Sequence, residues 1–355
     1  MTLTLLWAGC ALGCTFGVAS RLGDFCLLRG LRQRLAGGAA PQLQAFALAL
    51  AVALLASQAL AWAGLADLGS AQLVRPQFSL PAVLLGGLLF GSGMALARSC
   101  GARALVLLAG GHLRALVTLL CLGLAAQATL TGVLAPLRQW LQALGTIHLS
   151  HATLAQQLQA QGLGLGLATL GAAAVPALAL LGYALGPPAL RRTPVQLLCA
   201  LVIGTLVAAG WWLTAQVGVD PFEPTPLTSL SFIGPVAEGL FYLQLATGRA
   251  ASLGPAIVAG TLLGAGATAL ATRSARWEGF AQPRALAASA CGGVLMGVGG
   301  VLAVGCSIGQ GLSGLSTLAY ASLPACAGIV AGALLTLQAH AYLFPALLEP
   351  SHETP

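Results

Sequence analysis

The chain has 355 residues, 58% of them hydrophobic and 6% charged. A soluble domain carries about 25% charged residues, so this composition excludes a large soluble domain and points to an all-α polytopic membrane protein. All 15 basic residues are arginine and the net charge is +7, yet no basic cluster has the interleaved aromatics that nucleic-acid binding needs.

The first apolar run, residues 2–20, has no basic segment ahead of it and reads as a retained span, not a cleaved signal. Arg21, Arg29, Arg32 and Arg34 follow against one acid, Asp24. That reads as a short cytoplasmic loop with Cys26 at the inner face, and it places the N-terminus outside. Further spans are expected at 43–66, 80–97 and 114–135. Residues 136–162 are polar and read as an outer loop or surface helix. Spans at 163–186 and 195–216 come next.

The segment 229–247 is interrupted by Gly234-Pro235 and by Glu238. As a full span it would place Arg273, Arg276 and Arg284 outside. As a re-entrant segment it keeps them inside, leaving Arg249 outside, and the basic-loop rule prefers this. With spans at 254–271, 286–305 and 320–346, the count is nine, with the N-terminus out and the C-terminus in.

Shifting the chain by 206 residues lays Gly86–Cys100 on Gly292–Cys306. Gly86, Gly87, Leu89, Gly91, Gly93, Leu96, Ala97 and Cys100 recur as Gly292, Gly293, Leu295, Gly297, Gly299, Leu302, Ala303 and Cys306. With nine spans, the two copies cross in opposite directions. The expected units are a first membrane repeat 1–135, a connector with one span 136–194, a second repeat 195–346 and a tail 347–355. Inverted repeats with broken helices are a recurrent transporter architecture.

The second copy ends in Gly305-Cys306-Ser307 and a glycine-rich polar stretch with Gly309, Gln310, Gly311 and Ser313. A helix that stops at membrane depth is tolerated only where protein buries it or it lines a wet cavity. Glycines permit close backbone approach there, and the serines and Gln310 offer hydrogen bonds. Of nine cysteines, Cys10, Cys14, Cys121, Cys199, Cys291 and Cys326 read as packing residues. Arg98 and Arg103 flank Cys100 and read as anchors of the inner interface. Glu238 is a functional candidate if it is buried. No metal cluster, cofactor fingerprint or C-x-x-C stands out, and an enzyme is not expected.

Trp277-Glu-Gly-Phe280 with the run Gly292–Leu318 resembles the YeeE/YedE family of sulfur-compound transporters. So do Gly91–Cys100, Gly110–Val117, Phe222-Glu-Pro, Ser229–Pro235 and Phe25-Cys26. The resemblance spans about residues 20–345. It implies thiosulfate uptake across the bacterial inner membrane, with Cys26, Cys100 and Cys306 passing the ion along by transient contacts with its terminal sulfur. It also implies a small cytoplasmic sulfur carrier of the TusA type as partner. Arg98-Ser99 stands where the family often has Gly-Gly. Two rival readings are a membrane sulfurtransferase working through a cysteine persulfide and a transporter of selenium species.

Overall fold

A computed structural model describes residues 3–218, 226–248, 250–279 and 283–343 of this chain. Asp220, Phe222, Glu223, Arg249, Phe280 and the tail 347–355 lie outside the described residues. The elements run α1 (Leu3–Leu22), α2 (Leu27–Leu35), α3 (Pro41–Trp62), β1 (Gln77–Ser79), α4 (Leu80–Ala97), α5 (Gly101–Ala109), α6 (Leu113–Leu130), α7 (Ala135–Ala143), β2 (Thr146–His148) and α8 (Leu154–Ala160). There follow α9 (Ala172–Leu185), α10 (Pro188–Arg191), α11 (Pro194–Gln216), α12 (Ile233–Gln244), α13 (Leu253–Ala271), α14 (Pro283–Leu302) and α15 (Ser322–Leu343). A π-helical turn precedes α9, and another covers Gly309–Gly314.

Nine helical stretches among the described residues are long and apolar enough to cross a membrane. The expected cytoplasmic loop after α1 is different in detail. The chain breaks at 23–26, then forms α2, which carries Arg29, Arg32 and Arg34. Arginine is a good helix former, so a basic run marks a loop only weakly. The segment 136–162 folds as α7, β2 and α8, and β2 pairs antiparallel with β1. That small ribbon has no counterpart in the sequence reading.

Small residues set how the spans meet. Without a hydrophobic drive between helices in lipid, close van der Waals packing is a main source of cohesion. On α4 and α14, a Cβ added to Gly86 would lie 2.8 Å from the Gly299 carbonyl, and one added to Gly93 2.6 Å from that of Gly292. Rising numbers on one helix meet falling numbers on the other, so the two glycine-rich helices cross antiparallel. Three other close pairs are parallel. Gly13 meets Ile257 and Gly17 meets Thr261 across α1 and α13; Gly87 meets Gly328 and Gly91 meets Ile329 across α4 and α15. Gly293 meets Thr118 and Gly297 meets Leu122 across α14 and α6.

The parallel pairing of α1 with α13 bears on the segment 229–247. A full crossing there would make α13 antiparallel to α1. Instead the chain dips back: Ser229 donates to the Val207 carbonyl at 2.6 Å, about 14 Å back along α11 from its end. The α12 helix then runs for 12 residues, about 18 Å, too short for a hydrocarbon core of about 30 Å. Glu238 is on α12 but exposed, where it accepts from the Ser252 hydroxyl at 3.1 Å. It is not the buried carboxylate that would have signalled function.

Backbone docking ties the connecting segments to one end or the other. At one end, Arg276 and Glu278 N–H donate to the Gly110 and Gly111 carbonyls, His112 lies 3.4 Å from the Glu278 carboxylate, and Arg21 donates to Ser274. At the other, Leu154 and Tyr320 N–H donate to the Leu318 and Ala152 carbonyls.

Two predictions follow from this packing. Gly292→Val should lower stability by about 1–3 kcal/mol through overpacking, read as a lower melting temperature in detergent. Gly171→Ala, where an added Cβ meets nothing within 4 Å, should be neutral or slightly stabilising. In side-specific thiol labelling, Arg276→Cys should react from the same side as His112→Cys, and Ile147→Cys from the opposite side. Labelling of positions 276 and 147 from one side would contradict the topology.

Candidate functional site

Cys26, Cys100 and Cys306 occupy the same local structure three times. Each lies two residues after a non-glycine residue held in the left-handed region: Asp24 at φ 47°, Arg98 at φ 55° and Val304 at φ 58°. Only five non-glycine residues among those described have positive φ, so three of the five mark these thiols. Left-handed backbone costs a residue with a Cβ roughly 1–2 kcal/mol, and such strain clusters at functional sites. Each left-handed residue closes a helix, with N–H of 24, 98 and 304 donating to the carbonyls of Arg21, Ala95 and Val301. Each cysteine then opens the next helical turn, its own carbonyl accepting from Gly30, Ala104 and Gln310.

Cys306 Sγ sits where an N-cap oxygen would sit and accepts the Gly309 N–H at 3.2 Å. Cys26 and Cys100 hold the N-cap positions of α2 and α5 without a side-chain cap hydrogen bond. All three side chains are buried, at 6%, 5% and 1% exposure. Cys100 lies within electrostatic range of Cys26 and of Cys306, so it links the three thiols as neighbours.

The polar stretch after Cys306 closes around these thiols. Ser307 faces the Cys100 thiol, and its hydroxyl has no nitrogen or oxygen partner among the described residues. Gly305 cannot carry a side chain, because a Cβ there would come within 2.9 Å of Gln310 Cγ. Gln310 Nε2 donates to the carbonyls of Ala303 at 2.8 Å and Val304 at 3.1 Å, tying the end of α14 to the π-helical turn. Gly309 lets the Ser231 hydroxyl approach, and Gly311 lies against the Phe46 ring. Phe46 in turn stacks on Phe25 at 5.4 Å.

Several neighbours escaped the sequence reading. Ser231 arrives on the re-entrant segment, whose Leu230 carbonyl is held by the Ser313 hydroxyl at 2.7 Å. Asp24 is paired with both Arg29 and Arg103, so Arg103 is engaged in the thiol neighbourhood as well as at the interface. Cys326, read as packing, lies within electrostatic range of Cys306 and lines an apolar cavity with Ser307 and Phe46. Phe232, 206 residues after Cys26, precedes α12, and its carbonyl accepts from Val236, but coil rather than a helix end leads into it. The offset that maps Cys100 on Cys306 thus maps Cys26 on a buried phenylalanine.

The remaining cysteines keep bland surroundings. Cys10 and Cys14 backbone packs on Gly260 and Gly264, Cys121 packs on Gly293, and Cys199 on Gly23. Cys291 is exposed. No group of three or more His, Cys, Asp or Glu among the described residues is arranged to hold a metal ion.

A site of buried thiols and amide groups at helix breaks suits a small soft anion more than a metal or a large organic substrate. The family profile described as sulphur transport matches residues 22–335. Over 325 residues the chain is 27% identical to the thiosulfate transporter TsuA of Spirochaeta thermophila, covering 90% of this chain and 94% of that protein. With its nine apolar helices and a match over most of its length, this multi-pass membrane protein belongs to the sulphur transport family.

Proposed function

We propose that the protein carries thiosulfate across the bacterial inner membrane, with Cys26, Cys100 and Cys306 as successive contacts. The observation that carries this reading is the threefold recurrence of a strained turn, a buried thiol and a new helix start. Family membership and the printed function of the Spirochaeta relative support the substrate class. In this reading residues 1–135 and 195–346 are inverted repeats joined by 136–194. The antiparallel crossing of α4 and α14 supports that division.

Thiosulfate is a dianion with one soft terminal sulfur. A thiol can donate to that sulfur weakly, and backbone N–H groups at helix starts favour negative charge. Weak, repeated contacts let the ion enter and leave, as in multi-site conduction. Gly305, Ser307, Gly309, Gln310 and Gly311 shape the step at Cys306. Ser307 has its hydroxyl facing the Cys100 thiol and so can hand the ion between the two thiols. The thiosulfate stays intact throughout, and no enzymatic step is needed. A soluble sulfur carrier of the TusA type would take over at the cytoplasmic mouth.

Substitutions test the role of the thiols at matched membrane expression. Cys306→Ala should cut thiosulfate uptake by about tenfold or more while the protein still folds, since one small side chain replaces another. Cys306→Ser keeps a donor but hardens the contact, so uptake should also fall. Cys291→Ala, at an exposed position, should transport normally. Full uptake by Cys306→Ala would overturn the assignment. In a separate measurement, intact-mass analysis after thiosulfate exposure should find no added sulfur on the protein. A persulfide adduct would favour sulfurtransferase chemistry instead.

A further inference from the structure

Beside Cys306 lies a group of oxygen atoms that the three thiols do not use. A Cβ built on Gly314 would have Gln310 Oε1 at 2.5 Å, Ser322 Oγ at 2.5 Å and the Gly309 carbonyl oxygen at 3.3 Å as its nearest neighbours. The three heavy atoms nearest the bare face of Gly314 are thus all oxygen. Gln310 and Ser322 are 2% and 0% exposed, and neither Gln310 Oε1 nor Ser322 Oγ has a hydrogen-bond partner among the described residues. The amide cannot turn to relieve this, because its Nε2 already donates to the Ala303 and Val304 carbonyls. Buried polar atoms of this kind are costly to leave unmatched.

The 206-residue offset sets Ala104 and Leu108 opposite Gln310 and Gly314. Equivalent contacts of α6 and α15, Thr118 with Ala325 and Cys121 with Gly328, set Ala115 opposite Ser322. The two side-chain oxygens thus have apolar counterparts in the other copy.

We propose that Gln310 Oε1, Ser322 Oγ and the Gly309 carbonyl form a Na⁺ site next to Cys306. Hard cations take oxygen ligands, and divalent ones are usually held with carboxylates. The oxygens here are all neutral, which suits a monovalent ion. Half-helix ends and unwound carbonyls coordinate such ions in other membrane transporters. Gln310 links this site to the break at Val304–Cys306, so an ion that engages Oε1 steadies the backbone around the thiol. The purpose of the site, neutralising part of the charge on an entering dianion, rests on the transport reading above; the site itself does not.

The test uses purified full-length protein in thiosulfate-free buffer, with NaCl compared against choline chloride at equal ionic strength. Na⁺ should raise the melting temperature in a saturable way, and choline should not. Ser322→Ala should weaken the apparent Na⁺ affinity by about tenfold, and Gly314→Ala, which fills the space, should remove the response. Ser322→Ala carries the test by itself if Gly314→Ala fails to fold. Equal melting curves in Na⁺ and choline would overturn the proposal and assign the space to water. A second arm follows thiosulfate uptake into proteoliposomes under an inward Na⁺ gradient. A Na⁺ response lost in Ser322→Ala, without any thiosulfate uptake, would count against the substrate and uphold the site. Thiosulfate uptake with no Na⁺ response in either assay would uphold the substrate and remove the site.

Discussion

A backbone that leaves the helix inside a bilayer frees amide groups that hydrocarbon cannot satisfy. This chain meets that constraint in one way three times. A left-handed residue ends one helix, and two residues on a cysteine opens the next helical turn, at 26, 100 and 306. At Cys306 the sulfur accepts an N–H three residues on. Sulfur is a weak acceptor, so this amide is matched more loosely than an oxygen cap would match it. That looseness suits a site where an anion must displace the cap and then leave.

The rest of the fold holds the breaks against one another. Glycine contacts at 86, 93, 292 and 299 fix the antiparallel crossing of α4 and α14. The parallel pairs α1–α13, α4–α15 and α6–α14 then brace the crossing from both sides. Transport also has to answer to the membrane potential. Moving a dianion against 100 mV costs about 4.6 kcal/mol, since each elementary charge costs about 2.3. Thiol contacts alone supply no such driving force, and the proposed Na⁺ would cancel one of the two charges of the proposed dianion.

Much of this was legible in the sequence because lipid imposes simple rules. The apolar runs located nine spans, and arginine placement singled out 229–247 as a segment that does not cross. The doubled Gly-x-Gly…Cys motif led to Cys100 and Cys306. What stayed hidden has physical reasons. Asp24, Arg98 and Val304 adopt left-handed backbone that no side chain there advertises, and tertiary packing imposes it. Arg29, Arg32 and Arg34 sit on a helix because arginine propagates helices as readily as it marks loops. Ser231, Ser322 and the pairing of Asp24 with Arg103 depend on contacts between distant segments, which local patterning does not encode.

The most direct test of the central claim is a structure of the protein with thiosulfate bound, in which anomalous scattering locates the sulfur atoms. Thiosulfate density beside Cys26, Cys100 or Cys306, its terminal sulfur in van der Waals contact with a cysteine sulfur, is the result predicted here. Density confined to the arginine-rich surface, with all three thiols out of contact, would contradict it.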